Sequence, residues 1–141
     1  MKPAKYSFER IMAILGAGAC LIITLWIWQW VSVVQAMWPL PGLYFIEIPV
    51  VSVAAAGLLL GAGALGRAVM WGSAGILFAF SLLGIFSVGF YYLPEALIFI
   101  VTALIADVRF KQPIFAHLGI FFVAGTAQAA LMLAAIRLLS S

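Results

Sequence analysis

The chain has 141 residues, of which 67% are hydrophobic and only 8% charged. A soluble domain carries about 25% charged residues to cover its surface, so a soluble globule of this size is excluded. Seven Lys and Arg against four Asp and Glu leave a formal charge of +3, but the basic residues lie between apolar runs, as topology signals do, and not on one nucleic-acid-binding face.

Runs such as Ile11 to Ile27 and Val50 to Leu65 lack the apolar–polar alternation of a barrel strand. In hydrocarbon every backbone polar group needs an internal partner, which leaves helices. The expected fold is therefore all-α, a single transmembrane bundle over residues 1–141 with about five spans.

The first span is expected over 10–34. Lys2, Lys5 and Arg10 before it, and Val34-Gln35-Ala36 at its end, have the look of a signal peptide with a cleavage site. The apolar stretch exceeds the roughly 7–15 residues of a signal core, so it reads as a membrane helix. Cys20 follows Ala17-Gly18-Ala19, which lacks the leucine of a lipidation motif, and a single cysteine closes no disulfide within the chain. Trp26, Trp28, Trp30 and Trp38 have the composition of an interfacial belt. The turn Trp38-Pro39-Leu40-Pro41-Gly42 leads to a second span over 45–65, closed by Gly66-Arg67. A third span follows over 71–91, with Tyr91 and Tyr92 at its interface, and Pro94 opens the next helix.

The fourth stretch, 94–108, is the short one. From Pro94 to Asp107 it reaches only about 21 Å at 1.5 Å per residue, against a hydrocarbon core of roughly 30 Å. A full span and a re-entrant segment (four spans in all) both fit, and the fifth run, 114–138, is long enough in either case. Charge separates the two. Five spans with a cytoplasmic N-terminus put Lys2, Lys5, Arg10, Arg67, Arg109 and Lys111 inside and only Arg137 outside. Four spans move Arg109 and Lys111 out and Arg137 in, so the positive-inside bias selects five, with the C-terminus outside.

Gly61-Ala62-Gly63-Ala64-Leu65-Gly66 spells the dinucleotide fingerprint. It closes a membrane helix instead of linking a strand to a helix, so it reads as packing. Gly57 and Gly61 form G-x-x-x-G, and with Gly72, Gly75 and Gly125 they offer smooth faces where helices approach, within the chain or with a partner. Tyr44-Phe45-Ile46-Glu47 and Tyr92-Leu93-Pro94-Glu95 both place an acid in the first turn of a span. The helix dipole stabilises each one there. If the two spans are neighbours, Glu47 and Glu95 face the bundle interior near the outer interface and form a cation or proton site. Gln128, near the middle of the fifth span, would be its polar companion. His117, the only histidine, is a candidate axial ligand for a haem or chlorin, set against an ordinary interfacial histidine. No acidic or basic residue falls in the middle of an expected span, and no catalytic motif or metal cluster is present. No catalytic residue, metal or cofactor is expected.

Trp38-Pro39-Leu40-Pro41-Gly42 and the segment from Phe86 to Pro94 (Phe-x-x-Gly-x-x-Tyr-Leu-Pro) look like those of small polytopic bacterial membrane proteins, which implies a bacterial inner membrane. Five spans with several tryptophans are similar to the tryptophan-rich sensory protein family. That family's tryptophan and proline motifs are missing, so nothing is carried over from it. The functional expectation is a non-catalytic multi-pass protein in the lipid bilayer, an accessory or structural subunit of a membrane complex or a self-associating bundle. The alternative is a small transporter or channel using the outer acids, and an enzyme has least support. Expected partners are lipid and other membrane subunits or a second copy, with no nucleic acid.

Overall fold

The computed structural model describes residues 7–30, 43–61, 63–85 and 88–140. Lys2, Lys5, Val34-Gln35-Ala36 and the turn from Trp38 to Gly42 lie outside the described residues. Among those described the chain is all-α: α1 (Ser7–Trp28), α2 (Tyr44–Gly61), α3 (Gly63–Leu83), a 3-10 turn (Val88–Tyr92), α4 (Leu93–Phe110) and α5 (Ile114–Ser140). Four stretches, Phe8–Trp28, Gly63–Leu83, Val88–Phe110 and Ile114–Leu138, are long and apolar enough to cross a membrane.

Several boundaries differ from those expected, the third helix covering 63–83 where 71–91 was expected, and two of them bear on the site. The 3-10 turn runs directly into α4, so the apolar stretch that begins at Val88 is 23 residues long, about 35 Å if wholly α-helical. The deficit lies in α2, at 18 residues. Gly66 and Arg67, expected to close the second span, belong instead to the first turns of α3 and are buried. The break falls earlier: α2 ends at Gly61, and Gly63 has a φ of +51°, a conformation glycine adopts without a Cβ clash. Gly66 then lets the two helices close tightly, since a Cβ there would lie 2.6 Å from the Leu58 carbonyl oxygen.

The buried faces follow helical periodicity. On α1 they are Glu9, Ala13, Ala17, Cys20, Thr24 and Ile27; on α2, Ile48, Ser52, Ala55, Ala56 and Leu59. Steps of three and four keep each set on one side of its helix. Helices α1 to α4 form a ring in which α1 packs on α2 and α4, and α3 on α2 and α4. Helix α5 leans on the outside of α3, and among its described side chains only Gln128 and Met132 are buried. Its hold is a backbone contact at Gly75 and Gly125, where a Cβ on Gly75 would meet the Phe121 carbonyl oxygen at 2.2 Å. A Cβ on Gly72 would be in ordinary van der Waals contact with Ile120 and Ala124 of α5, at 3.7 and 3.9 Å. Gly57 lies on the exposed side of α2, between the inward positions 56 and 59, and a Cβ there would meet nothing within 4 Å. The close helix contact expected of Gly57 within the chain is therefore absent among the described residues, because the turn from Ser52 through Ala55 and Ala56 to Leu59 faces the ring. Gly61 is the last residue of α2.

Candidate functional site

The ring interior holds polar groups in two places, both on the buried face of α4, which carries Glu95, Phe99, Thr102, Ala106 and Asp107.

The first is built where α4 ends. Lys111 adopts the left-handed conformation (φ 51°, ψ 43°), its N–H returns to Val108 O at 3.3 Å, and Gln112 N–H donates to Asp107 O at 3.0 Å. These bonds cap the last carbonyls of the helix. The chain reverses over Gln112 and Pro113, and α5 starts so close that His117 returns to Asp107. Asp107 Oδ2 accepts from Trp71 Nε1 at 2.8 Å and lies 2.7 Å from His117 Nδ1. Oδ1 lies 3.7 Å from Arg67 Nε. Asp107 and Trp71 are buried and Arg67 nearly so, its guanidinium 5.4 Å from the centre of the Phe110 ring. Beside this cluster, Arg109 Nη1 donates to both oxygens of the buried Glu9, at 2.8 and 2.9 Å. The ionic partners balance: Arg67 stands against Asp107 and Arg109 against Glu9. These contacts bring the starts of α1, α3 and α5 to the same end of the bundle as the end of α4.

The second lies nearer the aromatic end. Glu95 is 1% exposed, and neither carboxylate oxygen has a hydrogen-bond partner among the described residues. It is the seventh residue beyond Val88, about 12 Å along the helix axis from the start of that span. The Cys20 thiol and the Ser52 hydroxyl face it, both fully buried. Ser52 Oγ donates to Ile48 O at 2.9 Å. Just beyond, the Thr24 and Tyr92 hydroxyls are hydrogen-bonded at 3.0 Å, with Tyr92 held between Phe45 and Phe80. The rim at this end carries exposed aromatics, Trp26 packing on Tyr91 and Trp30 at 5.7 and 6.1 Å between ring centres.

Of the three residues grouped in the sequence, two meet. Glu47 on α2 accepts from Gln128 Nε2 at 3.2 Å, joining α5 to the ring. The groups facing Glu95 are Cys20 and Ser52, so no contact joins the two glutamates into one site. Acidic and basic groups lie buried inside the bundle, each in an end third of its span and, among the described residues, none at the middle. Glu95 is deep because the 3-10 turn lengthens its span. Asp107, Arg67 and Glu9 lie at or beside the ends of the expected spans, and of these only Arg67 entered the charge count. His117 Nδ1 is engaged by Asp107, leaving Nε2 without a hydrogen bond among the described residues. Among those residues no three of His, Cys, Asp and Glu come together to hold a metal ion. The signal for the Asp107 cluster was present but weak: Arg67, Asp107 and His117 flank turns, and nothing in linear spacing pairs them. Comparison with protein-family models, curated proteins and solved structures finds no match to this chain.

Proposed function

We propose that the chain is a small multi-pass transporter or channel that handles a proton or a small cation at Glu95. The observation that carries this reading is a carboxyl group buried about two turns inside a membrane-length helix with no hydrogen-bond partner among the described residues. Leaving such a group unpaired costs several kcal/mol in hydrocarbon. Ionisable side chains retained inside membrane bundles mark ion and proton pathways. No ion pair and no hydrogen bond of good geometry holds Glu95 among the described residues.

The matching orientation has the N-terminus in the cytoplasm of a bacterial inner membrane and five spans. It is supported by Arg10, Arg67, Arg109 and Lys111 lying at one end of the bundle and Arg137 near the far end of α5. In that orientation Glu95 sits in the outer half. The test is flux in proteoliposomes under an imposed membrane potential, with internal pH and sodium followed by indicator dyes. Wild-type vesicles should carry one of these ions faster than protein-free vesicles, and Glu95→Gln should lose at least about tenfold of that excess. No flux in the wild type would overturn the reading.

An accessory-subunit role is the second reading, favoured by α5. This helix touches little but α3 and exposes Phe115, Phe122, Val123, Leu131 and Leu138. Stoichiometric co-purification of another membrane chain in mild detergent would favour it.

A further inference from the structure

The transport reading leaves open which ion Glu95 takes, and hydrogen-bond direction answers it. We infer that the species bound at Glu95 is a proton, held as a neutral carboxyl group hydrogen-bonded to Ser52, and not a metal cation. The inference rests on that reading for its role in transport, but not for the occupancy of the site.

Ser52 has one hydroxyl hydrogen, and it is spent on Ile48 O at 2.9 Å. While that bond is kept, its oxygen presents only lone pairs to Glu95. An ionised carboxylate also only accepts, and two acceptors cannot bond. A protonated carboxyl can donate, which completes a chain from Glu95 O–H to Ser52 Oγ and from Ser52 O–H to Ile48 O. The remaining neighbour, Cys20, brings a thiol that is a weak donor at best. The surroundings thus suit the acid form, which also removes the cost of a bare charge away from water.

A cation asks for a different site. Calcium takes six to eight oxygen ligands and magnesium near-octahedral coordination. Glu95 has beside it one hydroxyl and one thiol, and no three His, Cys, Asp or Glu side chains gather among the described residues. Glu95, Cys20 and Ser52, with Tyr92, Ala96 and Phe99 around them, are each exposed by 1% or less, so the site is packed side chain against side chain. A proton needs neither a ligand shell nor room. Its approach is marked by the hydrogen-bonded Thr24 and Tyr92 hydroxyls, between Glu95 and the aromatic rim.

The experiment is infrared spectroscopy of the full chain in lipid vesicles, following the carbonyl stretch of protonated carboxyl groups. Wild type at neutral pH should show an acid band that moves in D2O, is absent from Glu95→Gln, and shifts to higher frequency in Ser52→Ala as its hydrogen bond is lost. Glu95→Asp, which keeps the acid, should move the band without abolishing it and serves if the glutamine variant misfolds. Exchanging choline for sodium, potassium or calcium should leave the band unchanged. Loss of the band on adding any of these cations, or no band assignable to Glu95 at neutral pH, overturns the inference. A persistent band with no flux in proteoliposomes would sink the transport reading alone and leave the proton in place.

Discussion

Glu95 and Asp107 share the buried face of α4, and each is all but inaccessible. Asp107 sits where α3, α4 and α5 converge and receives an indole N–H, an imidazole nitrogen and a nearby guanidinium. Glu95 sits where α1 and α2 approach α4 and faces, among the described residues, a thiol and a hydroxyl that is itself 2.9 Å from Ile48 O. The same functional group on the same helix face is therefore an anchored anion in one place and an unsatisfied group in the other. Burial alone does not give a carboxyl its role; the donors brought by neighbouring helices do.

The sharpest way to break this contrast is at Asp107. Asp107→Ala should destabilise the bundle by about 3–5 kcal/mol, because it leaves Arg67 buried without its counter-charge and strips partners from Trp71 and His117. Thermal melting in mild detergent reads this directly. The double variant Arg67→Met with Asp107→Leu should recover much of the loss, since removing both charges removes the orphan. If the single variant melts like wild type, the cluster is not the anchor described.

The next effect asks whether that anchor or the glycine crossing holds α5. Gly75→Ala sets a Cβ against the Phe121 backbone, which cannot give way as a flexible side chain does. It should cost about 1–3 kcal/mol, while Gly57→Ala, facing open space on α2, should stay within about 0.5 kcal/mol. Both are measured in the same melting assay. Equal behaviour of the two variants would mean that α5 does not close on α3 as seen, and that the polar contacts carry it.

The smallest expected change is at Glu95 itself. Glu95→Gln exchanges one neutral group for another of similar shape, so stability should move by no more than about 1 kcal/mol in either direction. A loss approaching that of Asp107→Ala would show that Glu95 is an anchored anion after all, and the contrast between the two acids would disappear.

Composition and run length by themselves determined an all-α membrane bundle, because apolar runs without strand alternation leave the backbone one way to satisfy its hydrogen bonds in lipid. The sequence also marked Glu95, Gln128, Gly75 and Gly125, through residue type and place along a helix. It grouped Glu95 with Glu47 and Gln128 and did not link it to Cys20 and Ser52, which face it, because an acid in a helix's first turn does not say which helix stands opposite. Glu9, Arg67 and Asp107 were legible only as charges near span ends. Their pairing depends on contacts across separations of up to 100 residues, as between Glu9 and Arg109, and no local pattern encodes those. Helix existence is a local property of hydrophobicity and backbone satisfaction. Which carboxyl group is neutralised and which is left alone is set by the side chains that other helices deliver, and only the tertiary structure decides that.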